Sequence, residues 1–280
     1  MKINQAFDRC GWKYQAALLG ILLAVPVVQS QAQTYNLSTG TTSLQINAGG
    51  SNAGLSNWMN GGVNELAQQW FYYSVGGGNV NSIDTINPWS LVSQSGTSLS
   101  GTYSDSTLSV TTTYALASAG LTTQVAVQNL SGSTEAFNFY QYSDFGIGGV
   151  SAGQDVYFPG SGFPYTVYQY NPNNAGIGYL QGSVDVGIGT TVEEAAGINN
   201  GTQLGLKNGN PAPNFTNSSG IVGPGSVNFG YEFTATLAPG SSITFNELQV
   251  VPEPSALALI SCGILVFGLF SRRGLGFLKS

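Results

Sequence analysis

Apolar and polar positions alternate through most of the middle of the chain. Between positions 121 and 130, Leu121, Val125 and Val127 fall on one side, and Thr122, Gln124 and Gln128 on the other with Ala126. This is the period of a half-buried strand. The segments TTSLQINA, QQWFYYSV, TLSVTTTYAL, LTTQVAVQNL, EAFNFYQYS, PYTVYQYN and VNFGYEFTATL are rich in Thr, Val, Tyr and Phe, residues suited to a pleated surface. Gly-Gly, Ser-Gly, Asn-Pro, Asn-Gly and Pro-Gly pairs separate them as turn signals. The run YEFTATL-APGS-SITFNELQV predicts a closing hairpin around Pro239 and Gly240. A helical period shows only in GVNELAQQ, 62–69, which predicts a short helix or turn. The stretch 199–225, rich in Gly, Asn and Pro, predicts a long surface loop. Three Gly-Ile-Gly echoes, at 146, 176 and 187, are unevenly spaced and predict sheet bends rather than a repeat. The pattern as a whole predicts an all-β, antiparallel β-sandwich in one domain, 33–250.

The two ends break this pattern. Lys2, Arg9 and Lys13 precede an apolar run from Ala16 to Val28, and the small residues Ser30 and Ala32 follow. That order predicts a secretory signal helix over 1–32, cut between Ala32 and Gln33. At the other end, Ala256 to Phe270 is apolar or small and is closed by Arg272 and Arg273. The run is short against the ~20 residues of an untilted span. Flanking residues can snorkel, and the arginine pair would be held on the cytoplasmic side as a stop-transfer. The segment 251–280 therefore predicts a transmembrane helix.

Charge changes the picture between the ends. From Gln33 to Val251 there is no histidine, arginine or cysteine, and eleven carboxylates face the single base Lys207, a net charge of −10. No cationic surface exists to displace counterions, which excludes a nucleic-acid partner. Ser-His-Asp and Cys-His catalysis are excluded, as are metal sites built on His or Cys. The clusters Gly76-Gly77-Gly78 and Gly146-Ile147-Gly148-Gly149 lack the strand–loop–helix frame of a phosphate cradle and predict turns. No disulfide can form in the span, so its core alone must hold it, and about 218 residues suffice.

Carboxylates are the remaining catalytic chemistry. Asp144, Asp155 and Asp185 lie in or beside turn-rich stretches, and Glu193 and Glu194 form an acidic pair. Glycoside hydrolysis needs two carboxyls about 5–9.5 Å apart across one bond, and no spacing in the chain pairs them. No cofactor is expected; weak Ca2+ binding at carboxylate and carbonyl oxygens stays open, without an EF-hand pattern. Lys207, in LKNGN, reads as a solvated turn lysine rather than half of a Ser/Thr–Lys dyad. Rings crowd WFYY (70–73), FNFYQY (137–142) and YTVYQY (165–170) on both strand faces. One face is core. The other is either covered by loops, the favoured reading, or open as a platform for sugar rings.

Val251-Pro252-Glu253-Pro254, the apolar helix and the closing Arg272-Arg273 pair, behind a signal peptide, resemble the PEP-CTERM sorting signal of Gram-negative bacteria. The tail after the arginines, 274–280, is longer than usual in that family. The resemblance implies export through the Sec translocon and recognition of Pro252, Glu253 and Pro254 by an exosortase in the inner membrane. It also implies cleavage nearby and release to the cell surface or the exopolysaccharide matrix. The prolines keep the motif extended and unpaired, within reach of a protease. The stretches QQWFYYSVG, NSIDTI and FYQYSDFG make the body similar to uncharacterised ectodomains carried by such tails. The expectation is a non-catalytic surface or biofilm-matrix protein, with extracellular polysaccharide as an open partner. The alternatives are a carbohydrate-binding module using exposed aromatics, and a carboxylate-dependent glycan hydrolase or lyase.

Overall fold

The computed structural model describes residues 33–250, apart from 51, 119, 159–165, 173–177 and 186–190, and in 199–218 it describes Leu206 and Phe215 alone. For the strands 178–185 and 191–198 the backbone alone is described. The signal helix, the cleavage residue Ala32, the sorting motif Pro252, Glu253 and Pro254, and Arg272 and Arg273 lie outside the described residues. Among the described residues, no helix is long and apolar enough to cross a membrane.

The predicted alternation becomes two nine-stranded sheets. In spatial order, sheet A runs β1 (Thr34–Thr39), β2 (Thr42–Asn47), β3 (Gly54–Asn60), β5 (Leu66–Val75), β11 (Glu135–Phe145), β17 (Val227–Leu237) and β15 (Thr191–Ile198). The short β4 (Val63–Asn64) pairs with β3, and β6 (Asn81–Ser82) pairs with β5. Sheet B runs β16 (Gly220–Gly225), β12 (Gln154–Phe158), β13 (Thr166–Tyr170), β14 (Gly178–Asp185), β18 (Ser242–Val250), β10 (Gly120–Asn129), β9 (Leu108–Ala117), β8 (Ser98–Ser104) and β7 (Ser90–Gln94). The pairings are antiparallel. The all-β sandwich is as expected, and β10 buries Leu121, Val125 and Val127 while exposing Thr122, Gln124 and Gln128.

Phenylalanines hold the two sheets together. Phe139 pairs with Phe233 across β11 and β17, and both rings meet Phe245 of β18, at centroid distances of 5.6 and 4.5 Å. Phe71 of β5 stacks on Phe139 at 5.6 Å. All four rings are buried. Burying such a side chain stabilises by roughly 1.5–3 kcal/mol, so this spine contributes several kcal/mol to the cohesion between the layers.

Three local expectations are corrected. The segment 62–69 is not helical: Leu66 to Gln69 enter β5, where pairing with β11 outweighs the helical period of eight residues. The 227–250 region is not a hairpin. Strand β17 pairs with β11 and β15, whereas β18 pairs with β10 and β14 in the other sheet. Asn129 fixes that crossing: its backbone bonds Gly240 N–H and Ser241 O, and its Nδ2 donates to Leu237 O at 2.9 Å. A two-sheet corner thus takes the place of ladder pairing. Finally, the end of the 199–225 stretch is strand β16, paired with β12. The 146–149 cluster forms a turn, as expected, containing a short 3-10 segment Ile147–Gly149.

Candidate functional site

Both faces of the central strands of sheet A carry rings, because β5 and β11 alternate aromatics with aromatics. Residues of odd number, such as Phe71 and Phe139, point into the sandwich. The even-numbered set lies on the other face. There the register places Trp70 opposite Tyr142, Tyr72 opposite Tyr140, Gln68 opposite Asp144, and Tyr140 opposite Glu232.

This outer face is partly roofed and partly hollow. Phe215 sets its ring against Tyr140, edge-on at 5.5 Å, and its backbone N–H donates to Glu232 Oε2 at 2.8 Å. Asn138 Nδ2 donates to Glu232 Oε1 at 2.8 Å. Glu232 is fully buried, and both of its oxygens are engaged in anchoring this roof. Burial, with the Glu232 charge as a smaller cause, pushes the Tyr140 phenol up to about 12, against the lowering bond from Asn138. Beside the roof lies a cavity of about 340 Å3, whose lining includes Gln68, Trp70, Tyr72, Ser82, Asp84 and Leu206. The favoured expectation, loops covering the second face, therefore holds at Leu206 and Phe215 and leaves this hollow open.

One carboxylate lines the hollow, and a second lies across the sheet from Gln68, which also lines it. Strand β6 and the 3-10 turn Ile83–Thr85 bring Asp84 under it. Trp70 Nε1 donates to Ser82 Oγ at 2.6 Å, Ser82 Oγ donates to Asp84 Oδ1, and Gly50 N–H donates to Asp84 Oδ2 at 3.2 Å. Asp144 stands beside Gln68 at the end of β11. Burial raises its carboxyl from 3.8 to about 6, and the bond from Tyr142 O–H to Oδ2, 3.4 Å, lowers it by less. Tyr142 is itself pushed up by burial and by the Asp144 charge. The site therefore offers a carboxyl that stays protonated into weakly acidic solution, a hydrogen-bonded second carboxylate, and aromatic walls. General acid–base chemistry works best with groups whose pKa lies near the working pH.

The remaining predicted residues scatter. Asp155 lies on the outward face of sheet B, opposite Tyr170, and raises that phenol's pKa, behind the larger effect of burial. It is nowhere near Asp144 in register. The side chains of Asp185, Glu193 and Glu194, and all of Lys207, lie outside the described residues. Gln33 begins the described chain, its carbonyl accepting Ala48 N–H at 2.8 Å. Among the described residues no group of three His, Cys, Asp or Glu side chains could hold a metal ion. Asp84 carries no chemical signal in the sequence, because nothing in the spacing of NSIDTI links it to Trp70. Glu65 too is structural: buried, it accepts Gly148 N–H at 2.7 Å and pins the 146–149 turn.

Sheet B presents a second ring surface. Tyr157 and Tyr168 pair across β12 and β13, with centroids 6.0 Å apart and planes tilted by 32°. Each is 38% exposed, and Ile221 beside Tyr157 is 62% exposed.

No family model matches the chain, and no curated protein matches it. Solved structures match its shape. A bacterial glucoamylase complexed with acarbose superposes with a TM-score of 0.54 at 12% identity, covering 83% of this chain and 34% of its own. Protein Slr1438 of Synechocystis sp. PCC 6803 superposes with a TM-score of 0.50 at 10% identity, covering 80% of this chain and 96% of its own. A galactose mutarotase related enzyme from Lactobacillus acidophilus reaches 0.48 at 8% identity, covering 79% and 97%. At these identities the likeness is one of fold. It corrects the expectation of a non-catalytic protein: the body shares its fold with about a third of a bacterial glucoamylase, an enzyme. The described body of this chain is an antiparallel β-sandwich that shares its fold with part of that glucoamylase.

Proposed function

We propose that the chain is an exported enzyme acting on neutral glycans at the hollow on the outer face of sheet A. One observation carries the reading: Trp70 and Tyr72 wall a cavity of about 340 Å3 that also holds Asp84 and Gln68, with Asp144, raised to about 6, directly opposite Gln68 on the neighbouring strand. Asp144 donates its proton to the departing sugar oxygen. Asp84, kept in place by Ser82 and Gly50, supplies the negative charge that steadies the developing oxocarbenium ion; water then adds to that carbon and returns a proton to Asp144. Aromatic walls stack against the apolar faces of sugar rings. With a net charge of −10 over 33–251 and no base but Lys207, acidic polymers are repelled, which favours uncharged sugars.

Export and sorting complete the proposal. The signal over 1–32 sends the body out through the Sec translocon. The tail is read at Pro252, Glu253 and Pro254 by an exosortase, and Arg272 and Arg273 hold the span until cleavage. The mature protein then works at the surface or in the polysaccharide matrix. A second reading, a carbohydrate-binding surface, is favoured by the exposed Tyr157–Tyr168 pair, whose 6.0 Å spacing suits a sugar chain lying across both rings.

The test is turnover of a panel of neutral α- and β-linked glycans, followed by release of reducing ends. Asp144→Asn and Asp84→Asn are each expected to lower turnover about 100-fold or more with the fold intact. Absence of turnover by the wild type on the whole panel overturns the enzymatic reading. Retention of polysaccharide that is lost in Tyr157→Ala and Tyr168→Ala would leave the binding reading standing alone.

A further inference from the structure

The interior of the sandwich is not apolar throughout. The contacts of Phe245 with Phe139 and Phe233 set the register between the sheets. One row further along, β11 and β17 present Gln141 opposite Tyr231, followed by Ser143 opposite Phe229. On the facing sheet the next row is Glu247 opposite Thr123, which in turn lies opposite Tyr114, followed by Gln249 opposite Leu121. Glu247 is 3% exposed, and Gln69, Thr123, Gln141, Ser143 and Gln249 are fully buried.

The hydrogen bonds in this layer leave mainly oxygens over, together with one amide nitrogen, Gln249 Nε2. Gln141 Nε2 and Gln69 Nε2 both donate to Ser143 Oγ, at 3.1 and 3.3 Å, which turns the amide oxygens the other way. Gln69 Oε1, Gln141 Oε1, Thr123 Oγ1, Glu247 Oε2 and Gln249 Oε1 then have no hydrogen-bond partner among the described residues. Leaving such atoms dry costs about 1–3 kcal/mol each. Among the described residues there is no lysine, arginine or histidine to pair with Glu247. Burial pushes the Glu247 carboxyl well above its usual range, and its ionised form needs a counter-charge beside it.

We propose that this layer binds a monovalent alkali cation, with Glu247 as its counter-charge and the amide oxygens of Gln69, Gln141 and Gln249 and the hydroxyl of Thr123 as neutral ligands. The donor set is all oxygen, which suits a hard ion. There is one carboxylate, so a monovalent ion leaves a neutral pair in the low-dielectric interior, whereas a divalent ion leaves a buried positive charge. The ion is structural, lying between the sheets and away from the hollow around Asp84, and the inference does not depend on the proposed enzymatic activity.

The experiment is thermal unfolding of the full chain in choline chloride, with NaCl or KCl substituted at constant ionic strength. The midpoint is expected to rise with the logarithm of cation concentration, by about 3–6 °C at ten times the dissociation constant. Glu247→Gln, which keeps shape and removes charge, is expected to abolish the response. A wild-type midpoint identical in choline, sodium and potassium overturns the proposal, as does a response to Ca2+ alone or one that survives in Glu247→Gln. If Glu247→Gln does not fold, the wild-type titration alone decides.

Discussion

Asp144 allows a quantitative test of the site's electrostatics. Burial raises its carboxyl from 3.8 to about 6, a rise of about two pH units, or about 3 kcal/mol at 1.4 kcal/mol per unit. The side chain is only part-buried, and solvent screening reduces this to about 1.5 kcal/mol. The sign follows from proton binding. The folded state holds the Asp144 proton more tightly than the unfolded chain. Its contribution is therefore fully present below about 3.8 and is lost as pH rises through about 6. The amide introduced by Asp144→Asn cannot ionise. The stability of the variant relative to wild type, from urea unfolding at pH 3.5 and pH 8, is expected to increase by about 1.5 kcal/mol across that interval. Because both proteins share every other carboxylate, their difference isolates Asp144. Parallel stability curves would refute the assignment of a buried, proton-retaining carboxyl, and with it the proton donor of the proposed reaction.

Phe245→Ala removes the ring that joins Phe139 to Phe233 across the layers and is expected to cost about 3–5 kcal/mol, read from the urea midpoint. Asn129→Ala removes the side-chain bonds to Ser133 O, Leu237 O and Ser131 N–H and is expected to cost about 2–3 kcal/mol, with faster amide exchange at 237–241. Gly101→Ala would drive a methyl group into the Trp89 indole, lifting it from its stack on Tyr103; a loss of about 1–3 kcal/mol and an altered near-UV circular dichroism spectrum are expected. Alanines at Pro252, Glu253 and Pro254 are expected to hold the protein in the inner-membrane fraction, with surface release unchanged as the contrary result.

Strands were legible where one face is wet. In β10 the contrast between Val125 and Gln124 is the whole signal, and the structure follows it. Where both faces are covered the period vanishes: Trp70 to Tyr73 and Phe137 to Tyr142 carry rings on both faces, so the sequence alone does not say which rings make the core. Strand β18 inverts the signal. Its register with β10 buries Glu247 and Gln249 and leaves Leu248 46% exposed, so hydropathy places its second half the wrong way round. The Ala-Pro-Gly-Ser turn was visible, but turn chemistry does not specify which sheet the next strand joins; Asn129, more than a hundred residues away, does. The hollow was illegible for the same reason. Asp84 and Asp144 lie sixty residues apart and come beside β5, at Trp70 and at Gln68 respectively, only through its pairings with β6 and β11.

Hydrogen–deuterium exchange with and without a neutral oligosaccharide tests the location of the site most directly. The account predicts protection concentrated in 68–72, 81–85 and 140–144. Protection confined to 155–158 and 166–170 around Tyr157 and Tyr168, or none with any glycan, would contradict it.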